Sequence, residues 1–196
     1  MKVFGIGLNK TGTTTLGRVF SELGFRNLSY DLELLRSASQ NDMAPIFKAI
    51  NNYDSFEDWP WPLLFEEVDK NNIDSKFILT TRKNSEAWIE SLKKHAERTG
   101  PTEARKIVYG YKMPHGNENE HIRMYKKHNN RVRNHFKKKG NMIEVSWEEG
   151  DGWKKICSFL GKQKPKREFP HANKSEQRVT KMIGKLKKYL VNNIFK

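Results

Sequence analysis

The sequence predicts an α/β domain with a mainly parallel sheet. Three observations carry that reading. A short apolar run, Val3–Gly7, passes through a loop rich in glycine and threonine into an amphipathic helix. A second run, Lys76–Thr81 (KFILTT), is β-branched and apolar and leads through a polar turn into another helix. Strand-like and helix-like stretches then alternate along most of the remaining chain. Sheets of this class bind ligands beyond the carboxyl ends of their strands, which directs the chemical reading to the loops after Val3–Gly7, Tyr53–Phe56 and Lys76–Thr81.

Taken in order, Val3–Gly7 suits a buried parallel strand. Leu16, Val19, Phe20 and Leu23 recur at helical spacing, with Gly24 as the C-cap. Asn27–Tyr30 reads as a second strand, Leu32–Ile50 as helical in pattern, and Tyr53–Phe56 as a brief strand leading into Glu57-Asp58-Trp59-Pro60-Trp61-Pro62. Leu63–Asn71 is helical. After Lys76–Thr81, Asn84 or Ser85 caps a helix whose apolar face is Trp88, Ile89, Leu92 and Ala96. Gly100–Asn119 contains proline and glycine without a sustained period and is expected to be an irregular insertion or lid around a short helix. Ile122, Tyr125, Asn129, Val132 and Phe136 mark a basic amphipathic helix, Met142–Ser146 a strand, and Trp153, Ile156, Cys157 and Leu160 a short helix stopped by Gly161. Val179 to Ile194 follows as a C-terminal helix with lysines on its other face. No repeat or low-complexity linker interrupts the pattern, so residues 1–196 read as one domain.

The composition agrees. A chain of 196 residues can bury roughly two-thirds of its unfolded surface without disulfides or a structural metal. With 36% apolar and 31% charged residues it is polar, but 11% aromatic residues, five of them Trp, are too many for a disordered chain. The single cysteine, Cys157, excludes an internal disulfide and a cysteine-based zinc cluster, and is expected in the core. No apolar run approaches the ~18 residues of a membrane span. The opening MKVFGIGL lacks the pattern of a secretory leader, so a soluble, cytoplasmic protein is expected.

The net charge of +14 is unevenly spread: residues 1–92 carry −3, 93–139 carry +10, 140–161 carry −2 and 162–196 carry +9. Two basic segments suggest an anionic partner, set against a merely solubilising lysine surface. The histidines at 115, 121, 128 and 135 are too irregularly spaced for a metal site and are read as surface residues.

The first loop, Gly7-Leu8-Asn9-Lys10-Thr11-Gly12-Thr13-Thr14-Thr15, has the makings of a phosphate cradle. Gly7 and Gly12 let the backbone curl so that successive N–H groups point at one anion, and the following helix start adds its positive end. Lys10 adds a charge and the threonines add hydroxyls. The nucleotide-hydrolase pattern G-x-x-x-x-G-K-[ST] places its lysine after the second glycine, where this chain has Thr13. The strand KFILTT ends in Thr81-Arg82 rather than in an aspartate for magnesium.

Asn9-Lys10-Thr11-Gly12-Thr13-Thr14-Thr15-Leu16 resembles the 5′-phosphosulfate loop, K-[ST]-G-T-[ST]-x-L, of sulfotransferases that use 3′-phosphoadenosine 5′-phosphosulfate (PAPS). Lys76–Ser91 resembles their 3′-phosphate segment, Glu57-Asp58-Trp59-Pro60 the segment that holds a catalytic base, and Trp153–Asn173 the C-terminal block of small bacterial-type members. The resemblance implies a P-loop NTPase-like three-layer fold with a five-stranded, mainly parallel sheet, and in-line transfer of a sulfuryl group from PAPS to an acceptor hydroxyl or amine without a metal. It implies that Lys10, Thr11, Gly12, Thr13, Thr14 and Thr15 hold the 5′-phosphate, with Lys10 also stabilising charge on the leaving oxygen. It implies Arg82 and Ser91 on the 3′-phosphate and Asp58 as the base. Family members commonly place the serine eight residues after the arginine; Ser91 stands nine after Arg82, and Ser85 is its rival. Trp59 and Trp61 wall the acceptor site or belong to the core. The acceptor is a small molecule or glycan, with an acidic one favoured by the basic segment 100–139. Membrane is not an expected partner. The alternatives are a P-loop small-molecule kinase and, third, a basic nucleic-acid-binding module, which leaves the Gly/Thr loop unexplained.

Overall fold

The computed structural model describes residues 1–71 and 74–170. The helix expected at 179–194 lies outside the described residues. Five strands form one sheet: β1 (Lys2–Gly5), β2 (Asn27–Leu28), β3 (Ser55–Phe56), β4 (Ser75–Thr80) and β5 (Met142–Val145). Their order is β2-β3-β1-β4-β5 and every pairing is parallel. Eight α-helices accompany them among the described residues: α1 (Thr13–Glu22), α2 (Leu32–Ser39), α3 (Ala44–Asn52), α4 (Phe65–Asn71), α5 (Ser85–Thr99), α6 (Glu103–Tyr109), α7 (Glu118–Phe136) and α8 (Trp153–Leu160). The expected α/β class is therefore the observed one.

The alternation of side chains along each strand divides the core in two. On one face Phe56, Phe4 and Phe77 stack across three neighbouring strands, with ring centroids 4.6 and 5.6 Å apart. Trp61, Ile46, Ile50, Phe65, Val132 and Phe136 cover them from α3, α4, α7 and the turn before α4. On the other face Val3, Ile78 and Val145 meet Leu16, Val19 and Phe20 of α1 and Trp153, Ile156, Cys157 and Leu160 of α8. A third cluster, with Leu8, Leu35, Trp59, Trp88, Tyr109 and Tyr125 among its members, brings together α2, α5, α6, α7 and the loops after β1 and β3. Both faces are covered by helices, which is why the strands read as nearly continuous apolar runs.

Two sequence expectations change in detail, and a third, the short helix within 100–119, is met. The helical stretch 32–50 is two helices, because Asn41 takes a left-handed conformation (φ 59°) between α2 and α3. The segment 100–119 contains α6, capped by Thr102, whose side chain accepts from the Arg105 N–H. The histidines are not all at the surface: His121 is fully buried, and His128 is buried with Nε2 donating to the Ile6 carbonyl at 2.7 Å. Both stand on the inward face of α7, a placement invisible to metal-ligand spacing.

The basic helix α7 is held by acids from the rest of the chain. Arg131 forms a two-pronged pair with Glu66 of α4 (2.7 and 2.8 Å), and Arg133 does the same with Glu144 of β5 (2.8 and 2.7 Å). His135 and Lys139 share Asp69. Arg105 is buried and donates to the carbonyls of Lys112 and Gly100, closing the turn that follows α6.

Burial pushes the His128 imidazole down to about 4, so it is neutral in the folded protein at pH 7. The unfolded chain binds the additional proton between an ordinary histidine value near 6.5 and about 4, so stability falls as pH drops through that window. The loss at pH 4 is about 3 kcal/mol. In urea titrations at pH 4 to 7, His128→Gln, which keeps a donor but cannot titrate, is expected to flatten this acid limb; an unchanged limb refutes the assignment.

Candidate functional site

The loop after β1 is fixed from three directions. Gly7 passes so close to the end of β4 that a Cβ on it would lie 2.1 Å from Thr80 Oγ1 and 2.3 Å from the Thr80 carbonyl oxygen, leaving room for glycine only. The Thr11 hydroxyl, buried, lies 2.6 Å from Thr80 Oγ1 and 2.6 Å from the Leu8 carbonyl oxygen. From the opposite side, Trp88 of α5 donates to the Asn9 carbonyl at 2.9 Å, and the Tyr109 hydroxyl of α6 donates to Asn9 Oδ1 at 2.6 Å. Trp147, in the turn after β5, donates to the Gly12 carbonyl at 3.2 Å, and a Cβ at Gly12 would overlap its indole. Between these anchors Lys10 and Gly12 adopt positive φ (69° and 99°), and Gly12 delivers the chain into α1. The first N–H groups of α1 belong to the orphan donors of a helix start, where negative charge is favoured.

The loop after β3 carries two adjacent acids with different surroundings. Asp58 has φ 66°; its Oδ1 accepts from the Trp59 N–H at 2.9 Å and its Oδ2 from the Thr13 hydroxyl at 3.0 Å. Burial pushes its carboxyl above the usual aspartate value, while those two donors and the positive charge of Lys10 pull it back. Asp58 also acts on Tyr30 and Tyr109: both hydroxyls are held above the ordinary value first by burial and second by this negative charge. Lys10, Asp58, Tyr30 and Tyr109 therefore sit within electrostatic range around one region. Trp59 packs edge-on to Tyr109 at 5.9 Å, while Trp61 is fully buried in the aromatic core; one of the two expected wall residues is core alone.

The loop after β4 opens into a cavity of about 340 Å³ lined by Arg82, Lys83, Ser85, Tyr125, Lys126 and Arg133, among others. Arg82 pairs with Glu148 at 2.6 Å through Nη2, and its own N–H donates to the Tyr125 hydroxyl at 3.1 Å. Its Nε is buried without a partner, as is Asn129 Oδ1 in the same cavity. Ser85 is buried and lines this cavity, its hydroxyl 2.9 Å from Glu86 Oε1; Ser91 lies further along α5 and is not among the lining residues.

The expected site residues thus fall into groups. Lys10, Gly12, Thr13 and Asp58 come together, and Arg82 stands across the β4 end of the same edge. The hydroxyls of Thr11 and Thr13 are engaged with Thr80 and Asp58, so their offer to a ligand is the main chain rather than the side chain. Thr14 is exposed and Thr15 buried. Sequence reasoning missed Tyr109, Trp147, Glu148 and Glu57. Tyr109 stands in the segment without periodicity, and Trp147 and Glu148 follow a strand to which no role attaches. For Glu57 the signal was present: a second acid beside Asp58 in an otherwise apolar run.

Replacing Tyr109 with Phe removes the hydroxyl that holds Asn9 and leaves the ring packing in place. A stability loss of about 1 kcal/mol is expected from urea unfolding; no loss means that the contact does not hold the loop.

A sulfotransferase-domain family model matches residues 2–178. Among curated proteins, the chain is similar to the Ava biosynthesis cluster protein M of Aspergillus versicolor, with 25% identity across 91% of this chain and 83% of that protein. With a parallel five-stranded sheet, a glycine- and threonine-rich loop clamped at its carboxyl edge and a family model matching nearly its whole length, this chain belongs to the sulfotransferase-domain family.

Proposed function

We propose that the protein transfers a sulfuryl group from PAPS to a hydroxyl or amine of a small-molecule or glycan acceptor. The observation that carries the reading is the pairing of two anion-seeking places on one sheet edge: the clamped loop with Lys10, and the cavity in which Arg82 Nε is buried without a partner. A donor with phosphate-type groups at both ends of a nucleoside needs two such places. A guanidinium with an unmet N–H fits a phosphate, because the planar fork can share its charge between Glu148 and an incoming oxygen. The bound donor supplies an activated sulfuryl group on a phosphosulfate anhydride.

The residues then have separable roles. The start of α1 and the main chain of Thr11–Thr15 hold the 5′-phosphate. Lys10 neutralises charge that develops on the oxygen bridging phosphate and sulfur. Arg82, with Ser85 in the same cavity, holds the 3′-phosphate; Ser91, implied by the family resemblance, is the weaker candidate on position. Asp58 takes the proton from the attacking acceptor group, and Thr13 and the Trp59 N–H orient its carboxylate for that task. Among the described residues no group of three His, Cys, Asp or Glu side chains is arranged to hold a metal ion, and no helix is long and apolar enough to cross a membrane.

A kinase reading has less support. Its lysine would stand at Thr13, whose hydroxyl is turned to Asp58. A nucleic-acid reading gains little from α7, where Arg131 and Arg133 are already paired with acids.

Calorimetric titration tests the donor. Adenosine 3′,5′-bisphosphate is expected to bind more tightly than AMP, and Arg82→Ala to reduce that preference by about ten- to a hundredfold, the worth of a hydrogen bond to a charged group. An absence of bisphosphate binding at millimolar concentration overturns the reading.

Asp58→Asn is expected to lower kcat by about 10²–10⁴ while leaving bisphosphate affinity unchanged. Because the base works ionised and burial raises its value, wild-type activity should rise with pH through a midpoint above the ordinary aspartate range. A variant with full activity would remove Asp58 from the mechanism.

A further inference from the structure

Under α1, a cavity of about 330 Å³ lies between that helix and the ends of β2 and β3, with Thr14 in the first turn of α1 on its rim. Its innermost group is Glu57, 3% exposed, whose Oε2 has no hydrogen-bond partner. Glu22 Oε2, lining the same cavity, is also buried without a hydrogen bond, and its nearest cation is Arg167 at 3.8 Å. Asn27, half-buried, and Ser29, exposed, add neutral polar groups to the lining, and Arg18 is exposed at the mouth.

Two local costs meet here. A buried carboxyl with an unmet oxygen is unfavourable. A glycine inside a helix costs about 1 kcal/mol relative to alanine. Yet Gly17, in the middle of α1, is what admits Glu57: a Cβ at position 17 would lie 2.7 Å from Glu57 Oε1. Features that each weaken the fold and that fit each other point to a use.

We propose that this cavity binds the ammonium group of a small primary amine, held by Glu57 and Glu22. Two acceptor oxygens without donors, buried at one cavity and flanked by hydroxyl and amide groups, match the three N–H donors of an ammonium. Arg18 at the mouth opposes a second positive charge, so the ligand carries a single ammonium.

Glu57 keeps its proton at neutral pH: burial above all, and then the charge of Asp58, push its carboxyl up to about 8, while Ser29, Asn27 and Thr13 pull partly back. An arriving ammonium reverses that balance, and the Glu57 proton leaves to buffer as the ion pair forms. The charged groups around the cavity are thus Asp58 beside Glu57, Glu22 and Arg18 on α1, Arg167 against Glu22, and the ligand. An ionised Glu57 also raises the proton affinity of Asp58, which couples this cavity to the neighbouring loop.

Isothermal titration of the whole protein with ethanolamine at millimolar concentration, without any nucleotide, tests this independently of the donor reading. Expected are binding and, from the dependence of heat on buffer ionisation, release of close to one proton per ligand at pH 7; ethylene glycol should give neither. Glu57→Gln, isosteric with the protonated acid, should bind at least tenfold more weakly and release no proton. Should that variant not fold, Glu22→Gln, on the partly exposed acid, is expected to weaken binding several-fold. Absence of ethanolamine binding, binding without proton release, or affinity unchanged in the variants overturns the proposal.

Discussion

The arrangement of this protein depends on how closely the chain after β1 can approach the end of β4. At Gly7 there is no space for even a methyl group against Thr80, and the Thr11 hydroxyl then joins that same residue. This contact sets the loop down on the carboxyl edge of the sheet rather than letting it bow into solvent. Everything that follows inherits the placement. Lys10 takes its left-handed turn, Gly12 releases the chain into α1, and the helix start faces the same edge as Asp58 and Arg82. Trp88, Tyr109 and Trp147 hold the loop from outside, so its shape is set by packing before any ligand arrives.

The two acids after β3 show how one dipeptide is divided between tasks. Asp58, turned by a positive φ, looks toward Lys10 and the loop and receives donors on both oxygens. Glu57 looks the other way, under α1, where burial keeps its proton on. Neighbouring carboxyls whose environments separate their proton affinities are a recurrent way to place a base beside a proton-holding group. Thr13 lies between them as the first residue of α1, so the helix that follows the glycine- and threonine-rich loop also orients the acid pair.

The charge distribution has a similar division. The excess of positive charge over residues 93–139 looks in the sequence like a surface for an anionic partner. Folded, α7 covers one face of the sheet through Val132 and Phe136, and its Arg131 and Arg133 are met by Glu66 and Glu144, while Asp69 serves His135 and Lys139. The acids come from segments with negative net charge. Part of the apparent basic face, Arg131, Arg133 and Lys139, thus joins one part of the fold to another.

What the sequence determined by itself was local. The period of Leu16, Val19 and Phe20, the β-branched run before Arg82, a cap at Asn84 or Ser85 and the glycine after α8 express backbone and side-chain preferences that act over a few residues. They placed the strands, most helices and the loop that carries Lys10. The pattern K-T-G-T was equally legible, because a tight turn from a strand into a helix start sets its glycine and hydroxyl residues in consecutive positions. Tertiary structure alone decided the rest. Tyr109 reaches Asn9 across a hundred residues, Trp147 reaches Gly12 from beyond β5, and His128 finds Ile6 from 122 positions away. The burial of Glu57 depends on a glycine forty positions earlier. Such contacts leave no period in the sequence, because their partners meet only when strands distant along the chain come to lie side by side.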